Sequence, residues 1–220
     1  MKKRVGSFLI ITLIVLLSHP VNAVQTGGVQ YNMPIDYSFI NETNLNKEAE
    51  NLFQSYIKAE NSKQKEILLN KMLSDYSILS EINKENPLYV TRLGIIYDKL
   101  GKDRWAKSNF CKSTNLVPNY PYAFYSYGNF FFDRAEYRKA LREYMRAYNT
   151  GYSSHYYNLY QIGVIHEKYG DFSEAIKFYK RALVYKDTPE LRGKIQKLEE
   201  LLTANSLYNQ RQKVNKKWKK

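Results

Sequence analysis

Residues 169–183 read YGDFSEAIKFYKRAL. Gly170 supplies a residue that can end a helix in the left-handed conformation. Asp171, with Glu174 three positions on, has the spacing of a capping box that opens the next helix. Beyond it, Ala175, Tyr179 and Ala182 fall four and three residues apart, along one face of a helix. That face recurs upstream. Ala106, Ala140 and Ala175 stand 34 and 35 residues apart, and so do Phe110, Tyr144 and Tyr179. On the other side of the turn, Gly94, Gly128 and Gly163 repeat the same two intervals. A helical bundle needs small and aromatic residues at helical spacing, but not the same ones at a period of 34, so the pattern describes a stack of helix pairs.

Each unit has a helix A and a helix B. The first runs Val90, Leu93, Gly94, Tyr97, then Ala106, Phe110, Ser113 and Pro118; the second Phe124, Tyr127, Gly128, Phe131, then Ala140, Tyr144, Ala147; the third Leu159, Ile162, Gly163, His166, then Ala175, Tyr179, Ala182. Small residues stand where the two backbones approach, and large ones fill the space beside them. Asn86-Pro87 and Thr188-Pro189 each place a cap residue before a proline at the first helical position.

This pattern resembles the tetratricopeptide repeat (TPR) family, over roughly Pro87 to Pro189. The resemblance implies an all-α solenoid of antiparallel helix pairs with three TPR units, at residues 87–120, 121–155 and 156–189. The departures are Ser113 for an alanine, His166 for an aromatic, and Ala135-Glu136 where the other units have a turn glycine.

The flanks extend the stack. Residues 44–86 read as a degenerate N-terminal helix pair, because Met72, Tyr76 and Leu79 precede Ala106, Phe110 and Ser113 by 34 residues. Its helices carry Ala49, Leu52, Phe53, Tyr56 and Ile57, then Ile67, Leu68, Met72, Leu73, Tyr76, Leu79 and Ile82. Residues 190–210 read as a capping helix with Leu191, Ile195, Leu198, Leu201 and Leu202 on one stripe. Residues 24–43 form a linker or arm, ending in the glycosylation sequon Asn41-Glu42-Thr43.

Residues 1–23 have the form of a signal peptide: Lys2, Lys3 and Arg4, an apolar run from Phe8 to Leu17, and small residues at Val21-Asn22-Ala23. Val5 to Leu17 spans about 20 Å as a helix, short of the ~30 Å of a bilayer core. The expectation is a bacterial protein exported to the periplasm or secreted after cleavage near Ala23; the alternative is N-terminal membrane anchoring.

The formal charge is +13, of which the leader supplies +3 and the last ten residues, RQKVNKKWKK, +6. Basic character is thus concentrated at the ends, which argues against nucleic acid as the partner. The single cysteine, Cys111, permits no internal disulfide and reads as a small buried filler beside Phe110. Only His155 and His166 follow the leader, and no HExxH, Cys-x-x-Cys, phosphate-binding loop or serine elbow is present. The sequence nominates no catalytic residue, metal ligand or cofactor.

The TPR resemblance implies that a partner peptide or helix lies in a concave groove lined by helix A. Carried over position by position, the groove takes Arg92 and Asp98 from the first unit, with Thr91, Ile95 and Lys99 alongside. The second unit adds Tyr122, Tyr125, Asn129 and Asp133, with Ser126; the third adds Tyr157, Tyr160, Gln161 and Glu167. The residues themselves support the tyrosines, since Phe124, Tyr127 and Phe131 already account for the core face of their helix. Chaperone-binding members of the family place Lys, Asn and Arg where Thr91, Ile95, Ser126, Tyr157 and Gln161 stand here, so that ligand class is not expected. The sequence therefore points to a non-catalytic adaptor or scaffold of the bacterial cell envelope, binding another exported or envelope protein. The alternative is a peripheral envelope-binding protein whose tail, Arg211, Lys213, Lys216, Lys217, Trp218, Lys219 and Lys220, attaches to an anionic membrane surface or acidic polymer.

Overall fold

The computed structural model describes residues 36–217, with side chains to residue 209. The leader, the arm as far as residue 35, and Trp218, Lys219 and Lys220 lie outside the described residues, as do the side chains of Arg211, Lys213, Lys216 and Lys217. The elements are α1 (Glu42–Lys58), α2 (Ser62–Ile82), α3 (Pro87–Lys99), α4 (Asp103–Leu116), α5 (Pro121–Asp133), α6 (Tyr137–Asn149), a 3-10 turn (Tyr152–Ser154), α7 (Tyr156–Lys168), α8 (Phe172–Tyr185) and α9 (Pro189–Lys217). No strand occurs among the described residues. The chain forms two compact units that divide after Asn109, within α4.

In the first unit α1 packs on α2 and α2 on α3. Met72, Tyr76 and Leu79 are fully buried with Ala49 and Ile96, so the register of helix B extends into the N-terminal pair. Ile57 and Ile67, expected in that apolar set, are instead 60% and 50% exposed. Asn41 of the sequon caps α1, its side chain accepting the Asn44 N–H at 2.9 Å. Asn86 caps α3 in the same way through Leu88 N–H at 3.0 Å.

In the second unit α5 packs on α6, α6 on α7, α7 on α8 and α8 on α9. The repeat glycines have a specific steric role. A Cβ on Gly128 would lie 2.5 Å from the Tyr144 ring, and one on Gly163 2.5 Å from the Tyr179 ring. The helix B aromatic therefore lies flat on bare helix A backbone. Ala140, Ala147, Ala175 and Ala182 are fully buried beside these rings, letting the paired helices approach. Tyr144 and Tyr179 are themselves fully buried, each stabilising its pair by about 1.5–3 kcal/mol.

The turns follow the same economy. Gly101 (φ 69°) and Gly170 (φ 75°) adopt the left-handed conformation, and Ala135 takes it in the second unit at φ 56°. Asp171 caps α8 by accepting the Glu174 N–H at 3.4 Å, while the Glu174 carboxylate binds Lys177. Cys111 is exposed rather than buried. It follows Phe110 by one position, so the 100° helical step carries it off the core face, and Asn115 lies 3.8 Å from its sulfur. Thr91 and Ser126, assigned to the groove by resemblance, are 0% and 4% exposed and belong to the packing.

These contacts generate two stability predictions. Gly163→Ala gains helix propensity of about 1 kcal/mol but must displace an aromatic ring wedged in the core, costing about 1–3 kcal/mol. Urea unfolding should show net destabilisation, relieved when Tyr179 is replaced by Leu in the same chain. Ala135→Gly removes the strain of a Cβ at positive φ and should raise stability by about 1 kcal/mol, a thermal shift of a few degrees. An unchanged or lowered melting temperature would contradict the second expectation.

Candidate functional site

The helix A face of the second unit is dominated by rings. Tyr125 on α5 is half-buried, with ring centroids 5.8 Å from Tyr144, 5.9 Å from Tyr152 and 5.2 Å from His155. Tyr152 and His155 stack 4.2 Å apart at 15°. His155 then meets Tyr157, Tyr157 meets Tyr156 edge-on at 5.0 Å, and Tyr156 stacks on Tyr160 at 6.1 Å. Tyr160 closes the series against Tyr179, 5.6 Å away. Two ammonium groups border the rings. Lys186 lies 5.3 and 5.6 Å from the centroids of Tyr156 and Tyr157. Lys194 lies 5.8 and 5.3 Å from those of Tyr160 and Tyr179.

The buried tyrosines also deliver polar atoms to this face. Tyr144 donates its hydroxyl to Asn129 Oδ1 at 2.7 Å, and Tyr179 donates to Glu167 Oε2 at 2.6 Å. Lys194 Nζ pairs with the same Glu167 oxygen at 3.0 Å. The first unit repeats the device: Tyr76 donates to Glu50 Oε1 at 2.5 Å, and Arg92 binds both Glu50 oxygens at 3.0 and 2.9 Å. Burial pushes the hydroxyls of Tyr76, Tyr144 and Tyr179 up, and an adjacent carboxylate adds to the effect at Tyr76 and Tyr179. They remain protonated donors.

The sites named from sequence divide accordingly. Arg92 is engaged by Glu50 and lies 3.9 Å over the Phe53 ring. Asp98 is largely covered and pairs with Lys99 at 3.2 Å. Glu167 and Asn129 serve as acceptors for buried tyrosines. Tyr122 is half-buried, its ring edge-on to Tyr120 at 6.1 Å. Asp133 is exposed at the end of α5. Tyr160 and Gln161 are half-buried, and Tyr157 is 53% exposed, the most open ring of the series. Tyr125, read as lying off the core, is interleaved with Tyr144, Tyr152 and His155. Tyr152, His155, Tyr156, Lys186 and Lys194 were not anticipated. The signal for the first three was the aromatic-rich turn Gly151–Tyr157, GYSSHYY, beside the start of helix A.

His155 also caps α7. Its Nδ1 accepts the Asn158 N–H at 3.2 Å, which leaves the ring proton on Nε2. Asn158, fully buried, donates to the Tyr144 carbonyl at 3.1 Å and so ties the start of α7 to α6. Among the described residues, no group of three or more His, Cys, Asp and Glu is arranged to hold a metal ion.

No protein-family model matches the sequence, and no curated protein matches it. Solved structures do match. PilF of Pseudomonas aeruginosa is 15% identical, with 79% of this chain and 72% of that chain covered and a TM-score of 0.57. TTC0263, a thermophilic TPR protein of Thermus thermophilus, is 17% identical, with 74% and 83% covered and a TM-score of 0.55. MamA is 17% identical, with 69% and 88% covered and a TM-score of 0.50. The chain has the tetratricopeptide-repeat fold, an all-α array of helix pairs. At these identities the likeness establishes the fold alone.

His155 makes the site sensitive to acid. Burial holds its pKa below the ordinary imidazole value of about 6.5. Protonation would also remove the lone pair that caps α7 and place a cation at a helix N-terminus, where the dipole disfavours it. A depressed folded pKa means that the contribution is complete above the unfolded value and is lost as pH falls through the folded value. Unfolding free energy measured across the acid side of neutrality should therefore decline more steeply in the native protein than in His155→Asn, which keeps a capping acceptor without a titratable ring. Parallel slopes would show that His155 does not titrate on unfolding.

Proposed function

We propose that the protein is a non-catalytic adaptor that binds an extended or helical segment of a partner protein across the α5–α7 face. The observation that carries this reading is the open edge of the tyrosine series at Tyr157, beside Gln161. Tyrosine offers a large, stiff contact surface with a polar tip, the type of side chain favoured at binding hot spots. Of the charges assigned to the groove from sequence, Arg92, Asp98 and Glu167 are engaged by Glu50, Lys99 and Lys194, so recognition falls chiefly to ring faces, amides and the ammonium groups of Lys186 and Lys194. We further propose that the protein is exported and that its partner is an envelope protein; residues 1–23 are the ground for this, and it rests on the sequence alone.

A photo-crosslinking residue at position 157 in the native cell should capture a defined partner protein. With that partner purified, Tyr157→Ala combined with Gln161→Ala should weaken binding on the order of tenfold with unchanged melting behaviour. Unchanged affinity would remove this face as the binding surface. Tyr125→Ala is unsuitable, because Tyr125 packs among Tyr144, Tyr152 and His155.

A further inference from the structure

The last helix carries two different apolar stripes. Leu191, Ile195 and Leu198 are 2%, 6% and 3% exposed where α9 packs on α8, and Leu202 is half-buried at the end of that stripe. Lys180 reaches Glu199 at 2.7 Å, and Lys194 reaches Glu167 on α7. Past Glu199 the helix continues to Lys217. Leu201 is 42%, Leu207 52% and Tyr208 62% exposed, and Ala204 is exposed among them. At 100° per residue, Leu201, Ala204, Leu207 and Tyr208 centre about 140° around the helix from the packed stripe. Leu201, which the sequence pattern placed on the capping stripe, lies off it; with Ala204, Leu207 and Tyr208 it forms a second face, turned away from α8.

A lone helical segment in water is marginal, and an apolar stripe on it calls for a partner. Charge indicates which one. Residues 201–220 contain six cations, Arg211, Lys213, Lys216, Lys217, Lys219 and Lys220, and no acid. In the sequence, Val214 and Trp218 follow Leu207 at seven and eleven residues, the helical period of the same stripe. At 100° per residue Lys213, Lys216 and Lys217 fall on the side away from this stripe, among uncharged polar residues, while Arg211 falls on it, where its long side chain can reach the interface. An apolar stripe with a basic, acid-free remainder suits a helix that lies in a membrane interface. The same charge opposes the close side-by-side pairing of two such segments. None of the described helices is long and apolar enough to cross a membrane.

We propose that the distal half of α9, from Leu201 onward, is an interfacial amphipathic helix that docks on an anionic lipid bilayer. Leu201, Leu207 and Tyr208 enter the headgroup–acyl boundary and the cations face acidic headgroups. This goes beyond electrostatic attachment by a flexible tail, and it is independent of the α5–α7 binding face.

Co-sedimentation of the full chain with phosphatidylglycerol–phosphatidylcholine vesicles tests it, alongside phosphatidylcholine vesicles alone. The native chain should bind the anionic vesicles, and L201S/L207S should bind them at least about tenfold more weakly with an unchanged melting curve. Replacing Lys213, Lys216 and Lys217 with Gln should also weaken binding and reduce its dependence on salt. If L201S/L207S binds like the native chain and high salt alone releases both, the attachment is electrostatic and the interfacial helix is wrong. If the native chain binds no vesicles and light scattering shows a dimer that L201S/L207S dissociates, the stripe belongs to a second copy and the proposal fails. The double variant Y157A/Q161A should bind vesicles normally, which separates this result from the fate of the partner-binding face.

Discussion

The fold of the second unit depends on the contact between an aromatic ring of helix B and the bare backbone of a helix A glycine. Gly128 with Tyr144 and Gly163 with Tyr179 leave no room for even a methyl group. This close approach sets the spacing of each pair. It also accounts for alanine at the flanking positions, because any larger residue would hold the backbones apart. Gly94 and Phe110 stand at the same separation of 16 residues in the first repeat.

A tyrosine in that position brings a polar obligation. Its ring is buried, so its hydroxyl must find an acceptor, and burying it unpaired would cost on the order of 1–3 kcal/mol. Glu50, Asn129 and Glu167 supply the acceptors. Where the acceptor is a carboxylate, a cation from a later helix completes the set: Arg92 from α3 for Glu50, Lys194 from α9 for Glu167. These charges hold one helix pair to the next. What remains for recognition on the helix A face is mostly aromatic.

The rest of the charge is unevenly placed. Residues 36–109 hold 11 cations and 11 acids, so the positive excess lies elsewhere. Part of it is on α6, where Arg142 and Arg146 each donate at 2.9 Å to Glu143, a carboxylate buried to 1% exposure. Arg146 also stacks 4.1 Å over Phe124. A buried acid with two exposed guanidinium groups orients those groups at some cost in desolvation. The largest share, six cations without an acid, follows Leu201.

The repeat, its register and its caps were legible in the sequence because they are periodic or local. Glycine, alanine and aromatic positions recur at a fixed interval, and Asn86, Thr188 and Asp171 act on neighbours within three residues. Ala135 at positive φ was foreshadowed by the missing turn glycine. Availability of individual side chains was not legible, since it depends on partners distant in sequence. Arg92 is taken by Glu50, 42 residues away, and Tyr125 by rings from the turn after α6. Thr91 and Ser126 exchanged their expected places for the same reason, because burial beside the core face is decided only once the neighbouring helix is in position, whereas the exposure of Cys111 follows from its single 100° step from Phe110. The sequence by itself determined the architecture, through period and sterics. The tertiary structure decided which of its residues are left facing outward, through the long-range hydrogen bonds, ion pairs and ring contacts that engage the others.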